Sequence, residues 1–130
     1  MDDETGIVEK VQELVARMNV KHNLSVSVEI GAECNALNEH LQVVLYRIIQ
    51  EQFNNIISYA AAKTVTIRLM KQAGDLLLKI QDDGKGMDLS SKTTGIGLVN
   101  IRRRVQILGG SVQIVSAPGK GFSLTAAIPF

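Results

Sequence analysis

The chain has 130 residues and a formal net charge of +1, with 45% hydrophobic and 21% charged residues. This length suits one domain with a sizeable core, and the composition excludes an intrinsically disordered chain. The near balance of charges argues against a general nucleic-acid or acidic-membrane surface, because such partners select a strongly basic face.

Hydrophobic periodicity predicts two helices and a strand in the first part of the chain. Apolar residues at helical spacing indicate a first amphipathic helix over 7–18, and apolar and polar residues alternate over 24–30 as in a half-buried strand. A long helix is predicted from about 37 to 60. Asn38 is a plausible N-cap for it, and Asn35 is the competing choice.

The second part of the chain predicts four strands and one helix. Strands over 64–70 and 76–81 are joined by a short turn and form a hairpin. A helix over 97–108 ends at two glycines. It is followed by strands over 111–116 and 122–128. Tight turns between neighbouring strands, with helices interspersed, predict an α/β fold: a two-layer sandwich whose mixed, mostly antiparallel sheet carries helices on one face.

A polar segment over 82–97 is punctuated by glycines and lies between a predicted strand and a predicted helix. Glycine allows close approach of a ligand and positive φ, and a helix N-terminus directs free N–H groups at an anion. A phosphate-bearing ligand is therefore the first candidate. The spacing of these glycines does not match the Gly-x-Gly-x-x-Gly pattern of dinucleotide-binding folds, and no Walker A pattern is present.

Glu51 and Asn55 lie four residues apart on the long predicted helix and therefore share a face. One interpretation is a solvated face of an amphipathic helix. The other is functional, because a carboxylate and an amide oxygen near a phosphate suit general-base work and Mg²⁺ positioning.

Four segments together resemble the ATP-binding catalytic domain of bacterial sensor histidine kinases, within the wider GHKL ATPase superfamily. Residues 46–55 (YRIIQEQFNN) resemble the N box and residues 82–87 (DDGKGM) the G1 box. Residues 95–98 (GIGL) resemble the G2 box and residues 118–121 (PGKG) the last glycine box. The order and spacing of these segments match the family along essentially the whole chain. The residues of the G2 helix and of the short lid (88–94) are most similar to the kinase branch with nitrate-sensor and membrane-fluidity-sensor relatives.

The resemblance implies a Bergerat fold, ATP and Mg²⁺ as ligands, and specific roles for individual residues. Asp82 would accept a hydrogen bond from the adenine amino group, and Asn55 would coordinate Mg²⁺. Glu51 would be the catalytic residue, acting as general base or orienting the attacking nucleophile. Residues 87–95 would form a lid over the nucleotide. The nucleotide-binding residues implied in this way are Asn55, Tyr59, Asp82, Gly84, Gly86, Met87, Lys92, Thr94, Gly95, Ile96, Gly97 and Leu98.

Two positions depart from the pattern of this family. Ser58 stands where members often carry a lysine or arginine that meets the phosphates, and Lys92 is a candidate replacement. Phe122 stands where a threonine often follows the last glycine box, and Ser123 is expected to face the other side of its strand. Both departures could weaken nucleotide binding.

The resemblance also implies partners, namely a dimerisation domain that supplies the phosphoaccepting histidine and, indirectly, a response regulator. His22 and His40 are more simply surface residues than phosphoacceptors, so residues 1–130 are expected to form one catalytic domain without its acceptor helices. We expect this fragment to be monomeric and a full-length kinase to be a homodimer, with no nucleic-acid partner. An anti-sigma-factor-type serine kinase and a degenerate nucleotide-binding or interaction module are the alternatives.

Cysteine content and the absence of targeting signals bear on location. The single cysteine, Cys34, excludes an internal disulfide and a multi-cysteine zinc site, and fits a reducing compartment. No apolar run approaches membrane-spanning length, and the acidic N-terminus is unlike a signal peptide. We therefore expect a soluble, cytoplasmic domain, on the cytoplasmic side of the membrane if a full-length sensor has transmembrane segments.

Overall fold

A computed structural model describes residues 6–86 and 96–129, without the side chains of Tyr59 and Ile96. The helices are α1 (Ile7–His22), α2 (Glu39–Asn55) and α3 (Ile96–Ile107), with a 3₁₀ turn at Ala32–Ala36 and a π-helical turn at Ile56–Ala60. The strands are β1 (Ser25–Ile30), β2 (Thr64–Gln72), β3 (Asp75–Asp82), β4 (Ser111–Ser116) and β5 (Phe122–Pro129).

The five strands form one sheet in the order β1-β2-β3-β5-β4. β1 runs parallel to β2, and the other three pairs are antiparallel. Parallel neighbours need a crossover connection, and α2 lies in the segment that supplies it. The mixed, mostly antiparallel sheet confirms the predicted fold class.

Alternate residues of the central strands are buried, which places the helices on one face of the sheet. In β2, Ile67 and Leu69 are fully buried while Thr66 and Arg68 between them are exposed. The helices contribute fully buried residues such as Ile48 to the same core. Full burial of one such side chain stabilises the fold by roughly 1.5–3 kcal/mol. The opposite face of the sheet carries mainly polar side chains, so the molecule has two layers.

The two asparagines that competed for the start of the long helix both act as caps, but on different helices. Asn38 caps α2, since its side chain accepts hydrogen bonds from the backbone N–H groups of His40 (2.8 Å) and Leu41 (3.4 Å). Asn35 instead accepts from the backbone N–H of Val8 at the start of α1, at 3.2 Å. The first turn of α1 therefore depends on a residue far away in the sequence.

The long helix was predicted as one α-helix to residue 60, and this boundary is wrong. The α-helical pattern of α2 ends at Asn55, and the next five residues form a π-helical turn that stops at Ala61, which has φ +52°. Single π turns are rare and frequently lie at functional sites. This one directly follows Asn55.

The remaining elements lie close to their predicted bounds, although α1 extends four residues further, to His22. The β2–β3 hairpin turns at Ala73 and Gly74, which have φ +53° and +86° as a type I′ turn requires. Gly109, at φ +77°, ends α3, and the N–H of Gly110 donates to the carbonyl of Val105 at 3.0 Å. Among the described residues, no helix is long and apolar enough to cross a bilayer.

Candidate nucleotide site

One pocket lies where the end of β3 and the start of β5 meet the end of α2, the π turn and the start of α3. It encloses about 320 Å³ including its open mouth. Its described lining residues are Gln52, Asn55, Ile56, Ala60, Asp82, Gly86, Leu98 and Phe122.

Asp82 is a buried carboxylate in this pocket, with 5% of its side chain exposed. It is the last residue of β3, and its cross-strand neighbours on the same face are Val65 and Phe122. Its Oδ1 accepts a hydrogen bond from the backbone N–H of Gly84 at 2.7 Å. Burial raises the pKa of Asp82, Gly84 partly offsets the shift, and the charge of Asp83 adds to it.

Asp83 has a structural role outside the pocket. Its Oδ1 accepts from the backbone N–H groups of Lys63 (2.8 Å) and Thr64 (2.9 Å), which ties the end of β3 to the start of β2. These hydrogen bonds, that from Thr64 first, lower the pKa of Asp83. Adjacent carboxylates thus have pKa values shifted in opposite directions, because one is desolvated and the other is held by donors.

Close backbone contacts hold together the loops that surround the pocket. Gly84 packs so closely on Ala60 that a Cβ would overlap the Ala60 carbonyl oxygen, and the N–H of Lys85 donates to that same oxygen at 2.7 Å. Gly86 has φ +68°, and a Cβ there would overlap the Ala117 carbonyl oxygen. Gly121, at φ +73°, lies equally close to the Asp82 carbonyl. The glycines of the two boxes are therefore required by contacts between neighbouring loops.

Asn55 presents an amide group to the pocket. Its Nδ2 donates to Oε1 of Gln52 at 3.2 Å. This hydrogen bond leaves the Asn55 carbonyl oxygen, Oδ1, as an available ligand atom. No group of three or more His, Cys, Asp or Glu residues in the described part of the chain could hold a metal ion. A single amide oxygen fits Mg²⁺ that is held mainly by phosphates and water.

The two departures from the family pattern have different structural consequences. Phe122 is 6% exposed and lines the pocket directly opposite Asp82, whereas Ser123 faces the other side of the sheet as predicted. Ser58 is exposed on the π turn. None of the described lining residues is a lysine or arginine.

Glu51 does not line this pocket. It lines a second depression between the three helices, which we call the arginine groove, of about 760 Å³ including its open mouth. The described lining residues of the arginine groove are Leu14, Arg17, Met18, Arg47, Gln50, Glu51, Phe53, Asn54 and Arg104. Glu51 and Asn55 share a helix face, as predicted, but face neighbouring depressions one turn apart.

Three consecutive arginines on α3, at positions 102–104, differ in their burial. Arg102 and Arg103 are exposed, but Arg104 is half-buried and lines the arginine groove. Its Nε atom is buried and has no hydrogen-bond partner in the described structure.

Several proposed site residues cannot be placed. Met87, Lys92, Thr94 and Gly95, together with the rest of the lid, lie outside the described residues. The backbones of Ile96 and Gly97 form the first turn of α3, and the Tyr59 backbone belongs to the π turn. Leu98 is 6% exposed and lines the pocket, as expected.

Three described pocket residues that sequence reasoning missed are Gln52, Ile56 and Ala60. Gln52 is 2% exposed, and its spacing of three residues from Asn55 was the available signal. His22 and His40 are exposed, in agreement with the surface interpretation. Cys34 is fully buried, and burial, reinforced by the charge of Glu33, raises the pKa of its thiol, which disfavours the reactive thiolate.

Comparison with known proteins identifies the class to which this fold and site belong. A family profile described as histidine kinase-, DNA gyrase B-, and HSP90-like ATPase matches residues 40–130. Because this match spans more than half of the chain, the protein belongs to that family of ATPase domains, and its two-layer sandwich is the Bergerat fold.

Curated relatives are sensor histidine kinases. The histidine-protein kinase/phosphatase UhpB of Salmonella typhimurium is 33% identical over 124 residues, which are 95% of this chain and 25% of that protein. The sensor histidine kinase ComP of Bacillus subtilis is 32% identical over 120 residues, or 90% of this chain and 16% of that protein. The chain thus spans a quarter or less of the length of these two relatives.

Solved structures show the same fold at lower identity. The kinase domain of a blue-light activated histidine kinase from Erythrobacter litoralis superposes with a TM-score of 0.80 at 18% identity, covering 98% of this chain and 63% of that one. The histidine kinase AdeS of Acinetobacter baumannii gives a TM-score of 0.74 at 21% identity, with 95% and 62% covered.

Proposed function

We propose that residues 1–130 form a catalytic domain that binds Mg·ATP and presents the γ-phosphate to a histidine on the dimerisation domain of a two-component sensor kinase. The resulting phosphohistidine would then phosphorylate a response regulator. The observation that supports this most directly is the buried Asp82 carboxylate in the same pocket as the Asn55 amide. In this proposal the catalytic domain is a cytoplasmic monomer when isolated and part of a homodimer in the full-length kinase.

Asp82 is suited to recognise an adenine amino group. Gly84 holds one carboxylate oxygen, Oδ1, so that Oδ2 is left to accept a hydrogen bond from the base. A hydrogen bond to an ionised, desolvated carboxylate is worth about 1.5–3 kcal/mol. Because the pKa of Asp82 is raised, we expect nucleotide affinity to fall in mild acid, where protonation converts the acceptor into a donor.

Asn55 would hold Mg²⁺ through its carbonyl oxygen, while phosphate oxygens and water complete the coordination. Bound Mg²⁺ would neutralise charge on the transferred phosphoryl group. Gln52 fixes the Asn55 amide in the orientation that leaves its oxygen free. The first turn of α3 would offer backbone N–H groups to the phosphates.

Glu51 would act on the acceptor rather than on the nucleotide, because it lines the arginine groove. A carboxylate there, one helical turn from Asn55, can orient the incoming imidazole and accept its proton. Phosphoryl transfer needs positioning and charge neutralisation more than covalent chemistry, and the proposed site divides these tasks between the two depressions.

A degenerate nucleotide-binding module is the second candidate. The described pocket lining lacks a cation, and Phe122 replaces a polar residue opposite Asp82. Such a domain would bind nucleotide or a partner without transferring phosphate.

Calorimetric titration with ATP, with and without Mg²⁺, tests the nucleotide site. We expect wild-type binding, loss of binding in Asp82→Asn, and loss of only the Mg²⁺ dependence in Asn55→Ala. Asp83→Asn is the matched control, since Asp83 lies outside the pocket, and it should bind as the wild type does. An absence of wild-type binding would contradict the proposal.

Transfer to a histidine needs a separate test. Radiolabelled ATP would be incubated with the chain and a histidine-bearing dimerisation domain, and acid-labile label on that domain would indicate phosphohistidine. Glu51→Gln should bind ATP normally but transfer far less label. ATP binding with no label on any acceptor would favour the degenerate module, and acid-stable label on serine would favour the anti-sigma-factor-type kinase.

A further inference from the structure

Three arginines from three different helices line the arginine groove: Arg17 from α1, Arg47 from α2 and Arg104 from α3. Glu51 is the one carboxylate among the described lining residues, so three positive charges and one negative charge leave an excess of two positive charges. Among the described residues, no ion pair joins Glu51 to any of these arginines. The groove therefore offers guanidinium groups to an external anion.

Arg104 points to the kind of anion. A buried donor without a partner destabilises the fold, and Nε of Arg104 is such a donor. A guanidinium group binds a carboxylate through two parallel N–H···O bonds, one of which uses Nε in the side-on arrangement. A carboxylate entering the groove would satisfy this atom.

The size and setting of the groove indicate that the carboxylate belongs to a protein segment. The groove is an open depression between three helices, and its exposed lining is mainly polar, because Leu14 and Phe53 are buried and Met18 is half-buried. An open basic groove between helices suits a helix that presents acidic side chains to the arginines. A nucleic acid is disfavoured, because Glu51 lies among only three cations and the whole chain carries a net charge of +1.

We propose that the arginine groove is the docking surface for an acidic helical segment of the domain that carries the phosphoaccepting histidine, with Arg104 as its anchor. This inference rests on the proposed function. Because Glu51 and Asn55 are one helical turn apart, a helix seated in the groove lies beside the phosphate end of the nucleotide pocket. The groove thus selects the acceptor by charge before any transfer occurs.

Binding of a defined peptide tests the groove without nucleotide. The probe is a fluorescent alanine-rich helical peptide with one histidine flanked on the same face by glutamates, and the control peptide has glutamines in their place. We expect the wild-type chain to bind the acidic peptide, and to bind it more weakly as salt rises. Arg104→Gln should weaken binding about tenfold, which corresponds to about 1.4 kcal/mol.

Matched variants separate docking from general attraction. Arg103→Gln removes the same charge from an exposed neighbour outside the described groove lining, and should change affinity less than about twofold. Arg104→Lys keeps the charge and loses the planar fork, so its affinity should fall between those of wild type and Arg104→Gln. Thermal melts of each variant establish that it is folded.

Three results would overturn the inference: no binding of the acidic peptide, equal binding of the glutamine peptide, or an equal loss in Arg103→Gln. Parallel ATP titrations should give the same affinity for Arg104→Gln and wild type. A fall in ATP affinity in step with peptide affinity would assign the arginines to the nucleotide and also overturn docking. A wild-type chain that binds the peptide but no ATP would refute the proposed function and leave the docking surface standing.

Discussion

The proposed nucleotide pocket and the arginine groove lie on neighbouring sides of α2 and are built in different ways. Gly86 lines the pocket, and the loops beside the pocket are held together by close backbone contacts of Gly84, Gly86 and Gly121. The groove is made of long side chains from three helices, and its central charged residues, Glu51 and Arg104, are half-buried. The loops beside the pocket are consequently constrained by backbone sterics, whereas the shape and charge of the groove are set by side chains.

This difference has a functional meaning under the proposed mechanism. Every ATP-binding domain of this kind meets the same nucleotide, so a rigid wall is an advantage. Each acceptor differs in sequence, so a surface of exchangeable side chains suits the choice of partner.

The largest expected effect is that of a methyl group in the pocket wall. Gly86→Ala combines a left-handed φ with overlap of the Ala117 carbonyl, whereas Gly119→Ala has a similar φ of +78° and open space around it. We expect Gly119→Ala to lose about 1–2 kcal/mol of unfolding free energy from its φ alone, and Gly86→Ala to lose clearly more. Urea denaturation measures both. Equal losses of unfolding free energy in the two variants would mean that the loops around Gly86 shift to make room for the methyl group.

The pH dependence of stability should differ in sign between the two adjacent carboxylates. Burial raises the pKa of Asp82, so its stabilising contribution is present below the unfolded-state pKa and is lost as pH rises through the folded-state value. Asp82→Asn should therefore raise the unfolding free energy at neutral pH, and this gain should vanish in acid. The same variant is expected to lose ATP binding.

Asp83 should behave in the opposite way. Its hydrogen bonds from Thr64 and Lys63 lower its pKa, so its contribution is present above the unfolded-state pKa and is lost as pH falls through the lower folded-state value. Asp83→Asn should lose stability at neutral pH and match the wild type in strong acid. Urea titrations across the acid range test both carboxylates, and parallel pH profiles for the two variants would contradict the assignment.

Removing the N-terminal cap of α2 should weaken binding at the pocket and at the arginine groove together, since both are lined by this helix. Asn38→Ala should cost about 1 kcal/mol, because two N–H groups lose their acceptor. Asn38→Asp keeps an acceptor oxygen and should lose little. Thermal unfolding, with ATP and peptide titrations beside it, measures the effect. A loss of ligand affinity at only one of the two depressions would show that α2 does not couple them.

The smallest effect is expected on the open face of the sheet, away from both depressions. Arg68 and Glu29 form an ion pair at 2.7 Å between β2 and β1, with side chains 50% and 66% exposed. A double-mutant cycle with Arg68→Gln and Glu29→Gln should give a coupling of less than about 1 kcal/mol that shrinks with salt. Neither variant should alter ATP or peptide affinity.

The sequence by itself determined most of the architecture. Hydrophobic periodicity located the three α-helices and the five strands of the described residues, the turn residues indicated the hairpin, and the glycine boxes marked where Asp82 and Gly86 line a pocket. These features were predictable because each depends on neighbours along the chain: a period of two or 3.6 residues, or a glycine that one tight turn requires.

Only the tertiary structure decided which distant side chains meet. Asn35 caps a helix 27 residues away, and Glu51 faces a groove completed by Arg17 and Arg104 from two other helices. Nothing in the spacing around Glu51 indicates on which side of Asn55 the acceptor would approach. The physical reason is that helix packing is set by the shape of the whole core, so contacts between elements far apart in sequence have no local signature.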